Sequence, residues 1–174
     1  EHREGVALGL AEILFAATDS QLENHYDVVI PTVQDALCDE DERVRSAAGA
    51  AFDKLFQHGG GHAAGEIVPA LLEQLDSSPT VLEGLKQVLK AQPKILATVL
   101  PNLAQPPLSI SGARTLGALA EVAGTALPPH LPLLIPPLLE AMADDDEESR
   151  SAASSAALAV IKAVPENSSH LLLT

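Results

Sequence analysis

Aromatic residues are nearly absent from these 174 residues, which hold three Phe, one Tyr and no Trp. A core without large rings must be filled by Leu, Ala, Val and Ile, and such small-residue cores let helices approach closely. Cysteine is as scarce: Cys38 stands alone, so no internal disulfide can form, which agrees with a reducing compartment. Cations are outnumbered, ten Lys and Arg against 24 Asp and Glu, giving a formal charge of −14. That is the wrong sign for a surface that neutralises phosphates, and direct nucleic-acid binding by this chain is not expected. Apolar runs are broken by Pro, Gly or charge well short of a bilayer span, so no membrane segment is expected either. No initiator Met and no signal-like segment opens the chain, which starts at Glu1 inside a helical pattern and reads as a piece of a longer protein. P-loop, G-x-S-x-G, H-E-x-x-H and cysteine-cluster motifs are all missing, so neither enzymatic activity nor a catalytic, cofactor or metal site is expected.

What the chain does have is repetition. Apolar residues make up 47% of it, enough for a folded core. An apolar residue followed by proline recurs at Pro31, Pro69, Pro101 and Pro136, at spacings of 38, 32 and 35 residues. A period of this size predicts an array of helix pairs. After each proline comes a short apolar pattern, then polar residues, then a second stretch with spacings of three and four. Examples are Val44, Ala47, Ala48, Ala51, Phe52 and Leu55, or Ala152, Ala153, Ala156, Ala157, Val160 and Ile161. Each such set lies on one helical face, and a helix with one apolar face must bury it on a neighbour. The expected organisation is a second-type helix over 1–17, pairs over 20–57, 63–91, 92–124 and 128–164, and the start of another repeat over 166–174. Breakers are expected at "HGGGHAAG" (58–65), at Pro93 and at "AGTALPP" (123–129). Apolar end faces are expected along 1–17 and near 168–174.

Two copies share an acidic turn and an arginine at matching offsets. Asp39 and Arg45 follow Pro31 by eight and 14 residues, and Asp144 and Arg150 follow Pro136 by the same intervals. Carboxylates ahead of a helix cap its free N–H groups, and an arginine in the first turn can reach an Asp on an adjoining turn. Asp39, Arg45, Asp144 and Arg150 are therefore expected to form a structural ladder, interrupted in the middle copies by Ser77, Glu83, Ser109 and Thr115. The runs Asp39–Glu42 and 144–148 serve either as solvated caps or as an acidic rim that adds its potentials toward a partner. Partner-binding candidates are Asp39, Glu40, Asp41 and Glu42 on that rim, with Arg43, Lys54, Lys86, Lys90 and Arg114 on the second helices. His58 and His62 lack a third ligand and are expected as loop residues. Cys38 is expected as a small core residue whose acidic neighbours 39–42 raise its pKa.

A proline inside the first helix of every pair resembles HEAT repeats, in which that helix is bent over its neighbour. The resemblance implies an all-α, right-handed HEAT-repeat solenoid of antiparallel helix pairs. Tetratricopeptide arrays use bulky aromatics that are missing here, and the ankyrin "TPLHxA" pattern is absent. More specifically, "REGVALGLAEIL" (3–14), "IPTVQDALCDEDERVRSAAGAAF" (30–52), "IVPALLEQLD" (67–76), "LEGLKQVL" (82–89) and "LPNLAQPP" (100–107) look like one family. It is that of the giant ribosome-associated HEAT-repeat activators of general amino-acid control, the general-control-nonderepressible activators of the initiation factor 2 alpha kinase. The resemblance covers roughly residues 3–142. It implies a place in or beside the C-terminal region that binds the RWD domain of the kinase, with other RWD proteins as further candidate partners. It also implies ribosome contact through other parts of the full-length protein, a role in translational control under amino-acid starvation, and a cytoplasmic location. A generic HEAT adaptor for transport or complex assembly would share the architecture without the "ALCD…VR…GLKQV" order.

Overall fold

The structure, a computed structural model, describes residues 2–59, 61–75 and 78–164. All regular structure among the described residues is helical. Ten α-helices follow one another among the described residues: α1 (His2–Ala16), α2 (Asp19–Glu23), α3 (Tyr26–Leu37), α4 (Glu42–Gly59), α5 (Gly61–Glu73), α6 (Pro79–Ala91), α7 (Leu96–Leu103), α8 (Ile110–Ala123), α9 (Leu131–Met142) and α10 (Glu147–Ala163). Short 3₁₀ turns precede α7 and link α8 to α9. The chain divides into two compact units, Glu1–Gln92 and Pro93–Thr174.

In the first unit, α4 is the central element, packed between α1 and α6 with α3 and α5 behind. Its buried face of Val44, Ala47, Ala48, Ala51, Phe52 and Leu55 is the one that the three-four spacing predicts. Leu14, Leu37, Ile67, Leu71 and Leu85 complete that core. In the second unit α8 packs chiefly on α10, with α9 and α7 behind, around Leu96, Leu100, Leu116, Leu119 and Leu127. Each of these leucines removed from water contributes about 1.5–3 kcal/mol.

The recurrent prolines lie inside α3, α5, α7 and α9, and all four are on the exposed side of their helices. Each helix continues through its proline as one element rather than restarting. A proline cannot donate to the carbonyl four residues back and crowds it. On the solvent side that carbonyl turns to water at little cost, whereas a buried one would be left unpaired. Two helices add a side-chain donor next to the gap: Thr32 Oγ1 donates to the Val28 carbonyl at 2.7 Å, and Asn102 Nδ2 to the Thr98 carbonyl at 2.9 Å.

Several expectations are corrected. The glycine-rich stretch 58–65 is no open linker, because α4 runs to Gly59 and α5 begins at Gly61, so His58 and His62 are helical residues. Ile161, placed on a buried stripe by spacing, is 53% exposed. With Leu139 and Met142 it lines an apolar groove of about 240 Å³ between α9 and α10, since α10 packs on α8 through its alanine face. The expected end face along 1–17 is present as exposed Val6, Leu8, Ile13 and Phe15 of α1. Residues 166–174, the expected further repeat, lie outside the described residues, as does Ser77. In the middle pairs serines cap the second helices: Ser78 Oγ accepts from Thr80 N at 3.3 Å at the start of α6, and Ser109 Oγ from Gly112 N at 2.9 Å at the start of α8.

Close approach sets one sharp constraint. A Cβ added to Gly84 of α6 would lie 2.5 Å from the Leu37 carbonyl oxygen at the end of α3, a backbone atom that cannot turn aside. Gly9 in α1, by contrast, has nothing within 4 Å. Gly84→Ala should therefore destabilise the first unit by about 2 kcal/mol or more, while Gly9→Ala should stabilise it by up to about 1 kcal/mol through helix propensity. Urea unfolding of the two variants checks this, and equal shifts would contradict the contact.

Candidate protein-interaction surface

The two acidic turns have the same internal wiring. In the first, Asp39 Oδ1 accepts from Asp41 N at 2.9 Å, and Arg45 Nη1 donates to the carbonyls of Asp39 (2.6 Å) and Glu40 (2.9 Å). In the second, Asp144 Oδ1 accepts from Asp146 N at 2.9 Å, and Arg150 Nη1 donates to the carbonyls of Asp144 (2.9 Å) and Asp145 (2.7 Å). The leading Asp thus folds the turn, and the arginine takes up carbonyls left unpaired after the first helix ends. This corrects the ladder expected from sequence, because neither arginine reaches the carboxylate of its own leading Asp. The bond to an adjoining turn comes from elsewhere: Arg3 of α1 lies 3.2 Å from Asp39 Oδ2.

Arg45 is only 9% exposed, and its Nε is buried without a hydrogen-bond partner. Arg150 is half-buried. A guanidinium withdrawn from water is held in place by its carbonyls, since losing them leaves a buried charge unsatisfied.

Of the proposed rim, few carboxylates are free. Asp39 is 12% exposed in its side chain and paired with Arg3. Asp41 accepts from Arg43 N at 3.0 Å and from the Arg43 guanidinium at 2.9 and 3.2 Å. The Arg43 side-chain bond, then its backbone N–H, hold the Asp41 carboxyl down at about 2, and Asp41 in turn pushes the Arg43 guanidinium up. Asp146 caps α10 by accepting from Ser149 N at 2.8 Å, and Glu148 binds Arg114 Nη2 at 2.8 Å. Glu40, Glu42, Asp145 and Glu147 remain exposed with no cation in salt-bridge range among the described residues.

The second-helix candidates differ in the same way. Arg43 also lies 3.3 Å from Glu4, Lys86 lies 2.8 Å from Glu83, and Arg114 is taken by Glu148. Lys54 stands 4.9 Å from the centroid of the Phe15 ring, a cation–π pair that exposed Phe15 offers only once α1 and α4 are side by side. Lys90 is exposed and has no carboxylate in range among the described residues. Nine of the ten cations sit on α1, α4, α6, α8 and α10, and the tenth is Lys94 in a 3₁₀ turn. Helices α2, α3, α5, α7 and α9 carry none, so within each unit the two kinds of helix differ in charge.

The remaining candidates are quiet. Cys38 caps the end of α3 and is half-buried rather than in the core; burial and then the charge of Asp35 raise its pKa, not the 39–42 run. His62 lies 3.3 Å from Glu66, and its ring lies tilted against that of Tyr26 with centroids 5.2 Å apart. Among the described residues no group of three or more His, Cys, Asp or Glu is placed to hold a metal ion, and no helix is long and apolar enough to cross a membrane.

Comparison with known proteins adds the family. A model of the HEAT repeats of GCN1-like stalled ribosome sensors matches residues 95–174, and a general HEAT-repeat model matches residues 29–59. The chain is 34% identical over 178 residues to the stalled ribosome sensor GCN1 of Homo sapiens, covering 99% of the chain and 7% of that protein. It is 38% identical over 151 residues to the eIF-2-alpha kinase activator GCN1 of Dictyostelium discoideum, covering 83% of the chain and 6% of that protein. With the eIF-2-alpha kinase activator GCN1 of Saccharomyces cerevisiae it shares 33% identity over 146 residues, 82% of the chain and 6% of that protein. The chain therefore spans only a small part of the length of these relatives.

Two outcomes follow from the turn. Arg45→Ala should cost about 2 kcal/mol, whereas Arg150→Ala, half in water, should cost under about 1 kcal/mol, as measured by denaturant unfolding; similar costs would show that burial does not set the strength of the clamp. The Asp41 carboxyl, depressed when folded, adds stability that is complete above its unfolded value of about 4 and fades as the pH falls through about 2. An NMR titration of that carboxyl should show its inflection near the lower value and an upward move in Arg43→Ala.

Proposed function

We propose that this chain, which belongs to the GCN1-like HEAT-repeat family, is a protein-binding scaffold that recruits the RWD domain of an initiation factor 2 alpha kinase for activation on stalled ribosomes in the cytoplasm. The reading is carried by relatives named as kinase activator and as stalled ribosome sensor, which align over 82–99% of the chain. Other RWD proteins are further partners in this proposal, and the ribosome is contacted through other parts of the full-length protein. The surface chemistry fits a protein partner better than RNA, since carboxylates outnumber cations and most cations are already paired within the fold.

The acidic turns supply the steering part of the proposal. With Asp39, Asp41, Asp144 and Asp146 committed to folding their turns, Glu40, Glu42, Asp145 and Glu147 are the charges left to draw in a basic patch on the RWD domain. Exposed charges of this kind raise the association rate more than the final affinity. Neutralising these four, with the structural aspartates kept, should slow association of the purified RWD domain severalfold at low salt and flatten its salt dependence, with the helical signal unchanged. Association kinetics at two salt concentrations measure this. Unchanged rates at both would reduce the four residues to solubilising charges, and failure of the kinase to co-purify with the chain from cell extract would remove the recruitment reading itself.

A further inference from the structure

The apolar groove between α9 and α10, about 240 Å³ in volume and lined by Ile135, Leu138, Leu139, Met142, Val160 and Ile161, has a counterpart in the first unit. Residues 30–51 and 135–156 match at a constant offset of 105 residues, pairing Ile30 with Ile135, Pro31 with Pro136, Asp39 with Asp144, Arg45 with Arg150 and Ala51 with Ala156. The shared hydrogen bonds of the two acidic turns make the match structural as well. Helix α3 therefore answers to α9 and α4 to α10, and the groove residues Ile135, Val160 and Ile161 take the places of Ile30, Leu55 and Phe56.

In the first unit that place is covered. Ile30 is 2% exposed and Leu55 fully buried, whereas Ile135 is half-buried and Ile161 is 53% exposed. The cover begins with α5, which packs on both α3 and α4 and buries Ala63, Ile67, Val68 and Leu71. Helix α5 starts beside the start of α3, where the rings of Tyr26 and His62 lie 5.2 Å apart. Four residues lead from Tyr26 to Ile30 and five from His62 to Ile67, so at equal rise per residue Ile67 and Val68 come level with Ile30.

We infer that Leu172 and Leu173 of this same chain, which lie outside the described residues, are the occupants of the α9–α10 groove and seat against Ile135 and Ile161. Carried on at the offset of 105, the buried Ile67 and Val68 fall on Leu172 and Leu173, and the exposed Glu66 falls on Leu171. The reach is sufficient, because Ile67 comes eight residues after the end of α4 and Leu172 nine after the end of α10. Residues 167–174 hold no Asp, Glu, Lys or Arg, which suits a groove lined by aliphatic side chains. The match to the HEAT repeats of GCN1-like sensors also spans 95–174, taking this segment together with α7 to α10. A second copy fits less well, since it would bring another charge of −14 to the contact, whereas a tethered segment is present at high local concentration. The inference involves neither kinase nor ribosome, so it and the proposed function fail separately.

NMR of the 174-residue chain with labelled isoleucine δ1-methyl groups reads the contact, the signals of Ile135 and Ile161 being assigned with Ile135→Val and Ile161→Val. Leu172→Ser combined with Leu173→Ser should shift both signals and raise their relaxation by a soluble paramagnetic agent about twofold. Leu171→Ser, at the register of exposed Glu66, should leave both where they are. Met142, the chain's single methionine, lies at the other end of α9 from Ile135, and its labelled methyl signal should stay in place in every variant. Should the double variant lose its helical signal, Leu172→Ala alone reads the same contact. Unchanged Ile135 and Ile161 signals on replacing Leu172 and Leu173 would overturn the proposal, and so would an equal response to Leu171→Ser. Signals of the unaltered chain that move on dilution would give the groove to a second copy and overturn it as well.

Discussion

At the joint between α3 and α6 there is no room for a methyl group. Gly84 faces the Leu37 carbonyl at a distance that only hydrogen can occupy, and three of the buried residues of α4 are alanines, Ala47, Ala48 and Ala51. With so few rings to bury, the chain gains its packing by bringing backbones together rather than by interleaving large side chains. Dispersion contacts between close backbones replace the area an aromatic would have supplied. The same choice recurs in the second unit, where a Cβ on Gly117 of α8 would lie 3.2 Å from Ala156 Cα of α10.

Close packing of the second helices forces the irregularities elsewhere. A proline sits at least cost on a wet helix face, where the carbonyl it leaves unpaired can turn to water. The recurrent prolines of α3, α5, α7 and α9 lie on the exposed side, whereas Pro137, next to Pro136 in α9, is buried. Charge divides the same way. Long cationic side chains lie along α1, α4, α6, α8 and α10, where Arg43, Lys86 and Arg114 pair with glutamates of their own or a neighbouring helix, while the first-type helices bear no Lys or Arg. Turns between the layers would then crowd like charges against carbonyl dipoles, and Arg45 and Arg150 answer that by binding the carbonyls directly.

How much of this was legible in the sequence depends on the range of each interaction. The proline period and the three-four spacing are local, and they place every long helix and most of its buried face. The Asp–Arg offset was legible as proximity, but not as chemistry: the spacing from Asp39 to Arg45 says that the two meet, and not that the Asp41 N–H already holds the carboxylate. Lys86 could be seen to have Glu83 three residues before it on the same helix. Arg114 could not be seen to lose its freedom, because Glu148 lies 34 residues away, nor could Asp53, whose partner Gln92 lies 39 residues away. Ile161 was misplaced for a related reason. Its stripe is continuous in sequence, but the neighbour that α10 meets is α8, and the alanine part of the stripe wins the contact.

That pattern also decides which surface groups are available for recognition in a chain this acidic. A count of charges makes every carboxylate look like part of one field, yet the structure divides them by task. Asp39, Asp41, Asp144 and Asp146 are fixed by N–H groups of their own turns, and substituting them would change the fold and the field together. Glu40, Glu42, Asp145 and Glu147 contribute field without structure. On the cationic side the same sorting leaves Lys54 and Lys90 as the second-helix candidates with no carboxylate in salt-bridge range among the described residues, and of the two Lys54 already meets the Phe15 ring and Gln57. Recognition that depends on charge must work through such residues, because a group already satisfied within the fold gives a partner little that water did not already give.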